Sequence, residues 1–215
     1  MKKLLLTSSG ISEVCKPFLE LLEKDPSETT VCFIPTAAGF NPKQEFIDKA
    51  KDEIKKLGMK LTEVDLEDET QESLLEKLSV CDVIYVNGGN TFYLLDWVRK
   101  TGFENVVKQL INEGKIYVGV SAGSYIACPT IEMATWKEKV ENDVGLTDLT
   151  AMNLVPFLMQ VHFEEKMRPT VTEAVKHTKF PVIVLNDKQA VLVNGDKVKV
   201  VGTGEIISFN NFSES

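Results

Sequence analysis

The motif Gly119-Val120-Ser121-Ala122-Gly123 carries the sharpest chemical signal in the sequence. It follows a strand-like apolar run and precedes a short apolar helical stretch, Ser124–Cys128. In this setting the glycines permit the tight strand-to-helix turn of a nucleophile elbow, which exposes a serine hydroxyl beside a helix N-terminus. We therefore predict Ser121 as the nucleophile of an acyl-transfer reaction. The alternative is that these glycines serve only helix–strand packing or phosphate binding.

A serine nucleophile needs a general base, and the sequence offers two histidines, His162 and His177. His162 lies in a semi-apolar, strand-like segment, whereas His177 lies near a helix end between lysines, where an imidazole is commonly a surface residue. His162 is therefore the predicted base. Spacing leaves the orienting acid open between Asp187, which follows a later strand, and five carboxylates that precede His162: Glu132, Glu138, Glu141, Asp143 and Asp148.

A glycine-rich turn, Asn87-Gly88-Gly89-Asn90-Thr91, follows another buried strand. If the two strands are neighbours, the N–H groups of Gly88 or Gly89 meet that of Ala122 and form an oxyanion hole. Asn90 and Thr91 are predicted to contact the substrate. The alternative is a plain strand-to-helix turn capped by Asn90.

Strand-length apolar runs alternate with helix-length amphipathic stretches over the first 120 residues. This alternation predicts an α/β fold in which helices cover both faces of a mostly parallel sheet that binds ligands at the carboxyl ends of its strands. The predicted strands are Lys3–Ser8, Thr30–Pro35, Lys60–Val64, Asp82–Val86 and Ile116–Val120, and the predicted helices are Ile11–Glu23, Pro42–Leu57 with Asn41 as N-cap, Thr70–Leu78, Thr91–Thr101 and Phe103–Glu113.

The C-terminal third has a different pattern. A helix is predicted at Pro169–Thr178, and Asn194-Gly195 between two strand-like runs predicts a β-hairpin. This part is expected to add one strand to the sheet plus an antiparallel edge, from the runs Val182–Leu185, Gln189–Val193, Val198–Val201 and Ile206–Phe209. With neither repeat nor linker in sight, residues 1–215 are predicted to form one domain.

Composition narrows the function. The chain of 215 residues carries 24 Lys and Arg against 32 Asp and Glu, a formal charge of −8, which argues against binding to nucleic acid or to an anionic membrane. Neither a signal-peptide core nor a membrane-length apolar run is present, so a cytoplasmic location is expected. Exposed sheet edges and the hairpin make a homodimer plausible.

Four cysteines, Cys15, Cys32, Cys81 and Cys128, are scattered through apolar surroundings without metal-ligand spacing. We predict them to be buried free thiols. With only two histidines, a His-rich metal centre is excluded, and neither a metal nor a cofactor is predicted.

The sequence resembles the peptidase E family of cytosolic aspartyl dipeptidases, which are related to cyanophycinase. The matching segments lie in the same order and at similar intervals: Asn87-Gly88-Gly89-Asn90-Thr91-Phe92, Gly119-Val120-Ser121-Ala122-Gly123-Ser124, Cys128-Pro129-Thr130-Ile131, and Pro156 leading into His162-Phe163. The resemblance implies a flavodoxin-like three-layer sandwich similar to class I glutamine amidotransferases. It also implies a serine hydrolase whose triad runs Ser121, His162 and then an acid, which favours Asp187, with Gly89 and Ala122 at the oxyanion.

Two departures from the family bear on specificity. The family's usual acid is a Glu, and the matching position here is Asp187. A longer family loop leads to an arginine that holds the acidic side chain of the substrate, whereas here the stretch after His162 is short and ends at Arg168. Arg168 is the predicted substitute, because a guanidinium binds a carboxylate through two hydrogen bonds. The alternative is a solvent-exposed charge at the start of a helix.

These observations predict a serine peptidase that cleaves small peptides with a free amino terminus. Asp-X dipeptides are one candidate substrate, although Glu164 and Glu165 beside Arg168 would repel an acidic side chain. Two alternatives remain: an esterase or thioesterase that uses the same nucleophile, and a catalytically silent homologue that binds a small amino-acid ligand.

Overall fold

The computed structural model describes residues 1–39, 45–136 and 142–214. Within these ranges the backbone forms ten strands and seven α-helices. The strands are β1 Lys3–Thr7, β2 Thr30–Ile34, β3 Lys60–Glu63, β4 Val83–Val86, β5 Ile116–Val120, β6 Leu158–Gln160, β7 Val182–Val184, β8 Gln189–Asn194, β9 Lys197–Gly202 and β10 Ile207–Phe209. The helices are α1 Cys15–Leu19, α2 Glu45–Lys56, α3 Gln71–Ser79, α4 Thr91–Thr101, α5 Phe103–Asn112, α6 Ala122–Tyr125 and α7 Arg168–Ala174.

Seven strands form the central sheet, in the order β3-β2-β4-β5-β1-β8-β9. The first five are mutually parallel, and β8 and β9 extend the sheet as an antiparallel hairpin next to β1. Strands β4, β5 and β1 lie side by side, so the loops at their carboxyl ends meet at one edge. Ser8, the Gly88-Gly89 turn and Ser121 all lie at these strand ends.

Helices cover both faces of the sheet, as the alternating pattern predicts. On one face α3, α4 and α5 bury apolar side chains such as Leu78, Leu95 and Leu110 against β2, β4 and β5. On the other face α1 and α2 bury Phe18 and Ile54 against the same sheet. The result is the expected three-layer arrangement, in which the alternating faces of each buried strand contribute to two separate cores.

The C-terminal hairpin is present where Asn194-Gly195 predicts it, since β8 and β9 pair in antiparallel register through a tight turn after Asn194. The prediction that the four C-terminal runs add to a single sheet is wrong, because Val182–Leu185 and Ile206–Phe209 supply strands to a second sheet. Val182–Val184 instead forms the middle strand of a separate three-stranded sheet, parallel to β6 and antiparallel to β10. Periodicity identifies a buried strand but does not specify its partner.

Two predicted helices differ from the structure. The first is shorter than Ile11–Glu23: a single 3-10 turn precedes the five-residue helix Cys15–Leu19. Pro17 explains the late start, because its ring would clash with the carbonyl of Glu13 if that residue were α-helical. For the second helix, the predicted Asn41 cap and Pro42 start lie outside the described residues, and the described part spans Glu45–Lys56.

The prediction of four free thiols is wrong for two of the cysteines. Cys32 on β2 and Cys81, two residues before β4, form a disulfide, while Cys15 and Cys128 are free. The two strands are hydrogen-bonded neighbours in the sheet, which brings residues 49 positions apart in sequence to a Cα separation of 5.9 Å. The spacing of the two cysteines in the sequence does not indicate that they are close in the fold.

Among the described residues, none of the helices combines the length and the apolar character that crossing a membrane requires.

Candidate active site

Ser121 lies at the sharp turn between β5 and α6. Its backbone adopts φ 50° and ψ −105°, a strained conformation that is uncommon outside glycine and that is typical of functional turns. The N–H of Ser121 donates to the carbonyl of Thr7 at 3.0 Å, which continues the β1–β5 ladder up to the turn. The sharp strand-to-helix turn predicted at Ser121 is therefore present.

The two glycines that flank Ser121 are required by close packing. A Cβ at Gly119 would lie 2.5 Å from the carbonyl oxygen of Gly123, and a Cβ at Gly123 would lie 2.2 Å from that of Val86. Both distances are far below any real contact, so only glycine allows α6 to fold back onto β5 and β4. Close packing thus explains why both glycines are needed, whereas it does not require a serine at the half-buried position between them.

His162 lies beside Ser121. Its Nε2 is 2.9 Å from Ser121 Oγ. The residue follows β6 and has φ 55°, so the backbone turns sharply at the imidazole. The next residue, Phe163, donates its N–H to the carbonyl of Leu185 at 3.0 Å, which anchors this turn to the end of β7. The second histidine, His177, lies elsewhere, 3.7 Å from Glu173 on the surface.

Asp187 is the carboxylate that meets His162. Its Oδ1 lies 2.6 Å from His162 Nδ1, and 60% of its side chain is exposed. With Nδ1–H donating to Asp187, Nε2 is left to accept the hydroxyl proton of Ser121. Of the other candidates, Asp148 pairs with Arg99 at 3.4 Å, and Glu138 and Glu141 lie outside the described residues.

The Gly88-Gly89 turn lies against Ser121. A Cβ at Gly88 would be 3.1 Å from Ser121 Cβ and 3.8 Å from Ser121 Oγ. Gly89 adopts φ 148°, and a Cβ there would lie 1.9 Å from the carbonyl oxygen of Ala37. Ala122 is the first residue of α6, so its N–H is one of those that a helix leaves unpaired. Gly88 and Gly89 therefore lie beside Ser121 and line the same cavity, and Ala122 directly follows Ser121 in the chain.

A second contact joins the elbow to the histidine segment. The hydroxyl of Tyr125, at the end of α6, accepts hydrogen bonds from the N–H of Val161 at 3.3 Å and from Gln160 Nε2 at 3.2 Å. Burial raises the pKa of Tyr125 above its ordinary value, so the hydroxyl stays neutral. The Tyr125 side chain therefore links the helix that follows Ser121 to the segment that precedes His162. This link adds to the direct hydrogen bond between Ser121 and His162.

A cavity of about 470 Å³ opens beside these residues, between the strand ends and α2. Lys49 and Glu53, one helical turn apart on α2, supply a cation and an anion to its wall. Glu53 Oε2 accepts the N–H of Ile11 at 3.0 Å. The full lining is Ser8, Ser9, Gly10, Phe46, Lys49, Ala50, Glu53, Asn87, Gly88, Gly89, Val120, Ser121 and His162.

Metal ligands are not grouped in the part of the chain that the structure describes: no three His, Cys, Asp or Glu side chains are arranged to hold an ion.

Comparison with known proteins decides the family. The model of peptidase family S51 matches residues 4–201. The chain belongs to peptidase family S51. The resemblance to peptidase E, expected from the sequence motifs, is thereby confirmed.

Relatives of this S51 peptidase carry consistent names. An uncharacterized peptidase of Pasteurella multocida (strain Pm70) is 33% identical over 201 residues, covering 91% of this chain and 95% of the relative. A peptidase E of Shewanella amazonensis (strain ATCC BAA-1098 / SB2B) is 25% identical over 227 residues, covering 97% and 91%. A crystal structure from Listeria monocytogenes EGD-e, of a protein assigned as a peptidase E, superposes with a TM-score of 0.82 at 31% identity, covering 95% of this chain and all of the other.

Three residues predicted to bind substrate lie apart from the cavity lining in the described structure. Asn90 caps α4, because its side chain accepts the N–H groups of Phe92 and Tyr93, and Thr91 is buried as the first residue of that helix. Arg168 forms an ion pair with Glu165 and lies 3.5 Å from Glu205. The structure therefore brings Ser121, His162, Asp187, Gly88, Gly89 and Ala122 together, and places Asn90, Thr91 and Arg168 in other contacts.

Sequence reasoning missed Ser8, Lys49 and Glu53. Ser8 follows β1 at its carboxyl end, so the rule that placed the site at strand ends could have found it. Lys49 and Glu53 carried no comparable signal, because a charged pair on an amphipathic helix is typical of a solvent-exposed face.

Proposed function

We propose that this S51 peptidase is a serine peptidase that hydrolyses small peptides through an acyl-enzyme on Ser121. The observation that carries the proposal is the continuous line of contacts from Ser121 Oγ to His162 Nε2 and from His162 Nδ1 to Asp187 Oδ1. A chain of nucleophile, base and orienting carboxylate is the arrangement that acyl transfer needs.

The reaction follows from these positions. Ser121 Oγ attacks the carbonyl carbon of the peptide, and its proton moves to His162 Nε2. The carbonyl oxygen becomes an oxyanion facing the N–H groups of Ala122 and Gly89. The C–N bond then breaks, and the leaving amine takes the proton from His162. A water molecule, deprotonated by the same imidazole, hydrolyses the ester and restores the Ser121 hydroxyl.

The cavity supports a small substrate. A space of about 470 Å³ lies within the usual range for small-ligand pockets and suits a short peptide. The carboxylate of Glu53 in its wall suits a free α-ammonium group, so the substrate is a peptide with an unblocked amino terminus.

Specificity for Asp-X peptides requires a cation that binds the acidic side chain of the substrate. Two residues are candidates for this cation. Arg168 is the residue that the sequence favours, but Glu165 and Glu205 already neutralise it. Lys49 lines the cavity and, within the described residues, takes part in no ion pair. We assign the acidic-side-chain role to Lys49, and keep Arg168 as the competing assignment.

The test is turnover of a dipeptide library that includes Asp-X members, followed by mass spectrometry. Ser121→Ala and His162→Ala should each lower turnover by roughly 10³-fold or more. The matched controls, Ser12→Ala and His177→Ala, change exposed residues of the same types and should leave it unchanged. Turnover by Ser121→Ala at the wild-type rate would refute the proposal. Cleavage of matched ester substrates, without cleavage of any of the dipeptides, would indicate an esterase instead.

A further inference from the structure

Ser8 lies directly behind the His162–Asp187 pair, at the end of β1. The residue is fully buried, and its N–H donates to the carbonyl of Gln189 at 3.2 Å. That bond holds Ser8 against the start of β8, two residues beyond Asp187. The hydroxyl is therefore fixed at the junction of three chain segments: the end of β1, the turn at His162 and the turn at Asp187.

The Ser8 hydroxyl makes one hydrogen bond to each of these turns. Its oxygen accepts the backbone N–H of His162 at 2.8 Å. Its proton is donated to Asp187 Oδ1 at 2.9 Å. Since Oδ1 is also the atom that faces His162 Nδ1, one carboxylate oxygen receives both hydrogen bonds.

Both partners need such a restraint. His162 adopts φ 55°, a conformation that is strained for any residue with a Cβ and that persists only where surrounding contacts enforce it. Asp187 has 60% of its side chain exposed, so water competes for its oxygens and the carboxylate has room to rotate away. Ser8, whose own side chain is buried, opposes both movements through its two hydrogen bonds.

We propose that Ser8 is a positioning residue: its hydroxyl fixes the backbone of His162 and the carboxylate of Asp187 in one geometry. The inference rests on the proposed function, since it concerns how the base of that reaction is held. Ser8 takes no part in bond making or breaking. Its effect falls on the rate of the acylation step rather than on the affinity for substrate.

The experiment measures the rate at which a fluorophosphonate probe labels Ser121 in the full-length protein, followed by intact-protein mass spectrometry. The probe's phosphorus bonds to Ser121 Oγ and fluoride leaves, so the rate reports the activated serine without a known substrate. Ser8→Ala should slow labelling by about 10- to 100-fold, the usual effect of removing a hydrogen bond that orients a reactive group.

Two further variants separate hydrogen bonding from packing. Ser8→Cys keeps the shape of the side chain, with a somewhat larger sulfur atom, but replaces a strong donor and acceptor by a weak one, so it should behave like Ser8→Ala. Thr7→Val removes the neighbouring buried hydroxyl, which has no hydrogen-bond partner, and should label at the wild-type rate. Circular dichroism then shows which variants are folded, and Ser8→Cys carries the test if Ser8→Ala fails to fold.

A spectroscopic measurement checks the mechanism directly. In wild-type protein the Nδ1 proton between His162 and Asp187 should give a downfield proton resonance in NMR. That resonance should shift or disappear in Ser8→Cys and persist in Thr7→Val. A merely structural role for Ser8 would leave it in place.

The outcomes are distinguishable. Wild-type labelling rates in folded Ser8→Ala and Ser8→Cys, with Ser121→Ala unlabelled, would overturn the role of Ser8 and leave the proposed function standing. Failure of the probe to label Ser121 in wild-type protein would overturn both.

Discussion

Oδ1 of Asp187 lies 2.6 Å from Nδ1 of His162, although 25 residues and the whole of α7 and β7 separate them in sequence. Strand β7 runs parallel to β6, so the turns that follow the two strands emerge at the same edge of the small sheet. The resemblance to peptidase E places a glutamate at the position of Asp187, one methylene longer. The turn here delivers the shorter side chain to the imidazole.

This contact predicts the effect of Asp187→Asn. Loss of the negative charge removes the group that holds the imidazole tautomer, so kcat should fall by about 10² to 10³-fold, less than for a fully buried triad acid. Steady-state kinetics on the best dipeptide substrate measures it. Asp143→Asn, a change at an exposed carboxylate that precedes His162, is the matched control and should have wild-type kcat. Equal losses in both variants would contradict the assignment of the acid.

The central sheet and the turn at Ser121 followed from local sequence signals. The helix Thr91–Thr101 and the strand Ile116–Val120 have the predicted bounds, because a cap at Asn90, a glycine at 102 and a continuous apolar run mark their ends. The elbow followed from glycines next to a buried strand.

The remaining features depend on contacts between distant segments, which local patterns do not encode. The Cys32–Cys81 disulfide depends on strand neighbours, and the second sheet depends on pairing between β6, β7 and β10. Ser8 is a site residue only because β1 is inserted between β5 and β8. The contact between Asp187 and His162 likewise depends on the pairing of β6 with β7, which sequence spacing does not indicate.

Gly89→Ala should lower both activity and stability. The new Cβ would lie 1.9 Å from the carbonyl oxygen of Ala37, so the turn must move and its N–H with it. We expect kcat to fall by at least about 10²-fold, the usual effect of losing one oxyanion donor.

The control for backbone strain is Gly114→Ala. Gly114 also has a positive φ, 100°, but its Cβ would meet nothing within 4 Å. It should lower the free energy of unfolding by about 1 to 3 kcal/mol from strain alone and leave kcat unchanged. Wild-type kcat in folded Gly89→Ala would exclude this turn from the oxyanion hole.

Asp82 should make a pH-dependent contribution to stability. It directly precedes β4, at the end of the sheet opposite to Ser121. Burial opposes its ionisation, but hydrogen bonds from Lys24 Nζ at 2.7 Å and from the N–H of Thr30 at 3.0 Å outweigh this and lower its pKa below the ordinary value of 3.8. A lowered pKa in the folded state stabilises the protein above that ordinary value, and the benefit is lost as the pH falls through the folded-state pKa.

Asp82→Asn should therefore lower the free energy of unfolding by about 1 kcal/mol at pH 7, and the difference from wild type should shrink below about pH 4. Urea denaturation at a series of pH values measures it, with Asp52→Asn on the exposed face of α2 as the control. Activity should be unchanged. If the difference in free energy of unfolding between wild type and Asp82→Asn grew as the pH fell, the pKa of Asp82 would not be lowered by folding.

Selection of acidic substrates should depend on Lys49 rather than on Arg168. Lys49→Ala should raise KM for Asp-X dipeptides by about three- to fivefold, as expected for a solvent-exposed charge pair, and leave KM for Ala-X dipeptides unchanged. Arg168→Ala should change KM for Asp-X and for Ala-X dipeptides by the same factor, because its guanidinium already pairs with Glu165 and Glu205. A selective loss of Asp-X turnover in Arg168→Ala alone would instead assign the acidic-side-chain site to Arg168.

The most direct test of the account is to trap the acyl-enzyme. Wild-type protein is mixed with an activated amino-acyl ester, quenched in acid within milliseconds and digested, and the peptides are analysed by mass spectrometry. We predict an added mass equal to the acyl group on the peptide that contains Ser121, and none in Ser121→Ala. Rapid turnover of the ester by wild-type protein, with no adduct on Ser121 at any quench time and equal turnover by Ser121→Ala, would contradict a serine nucleophile.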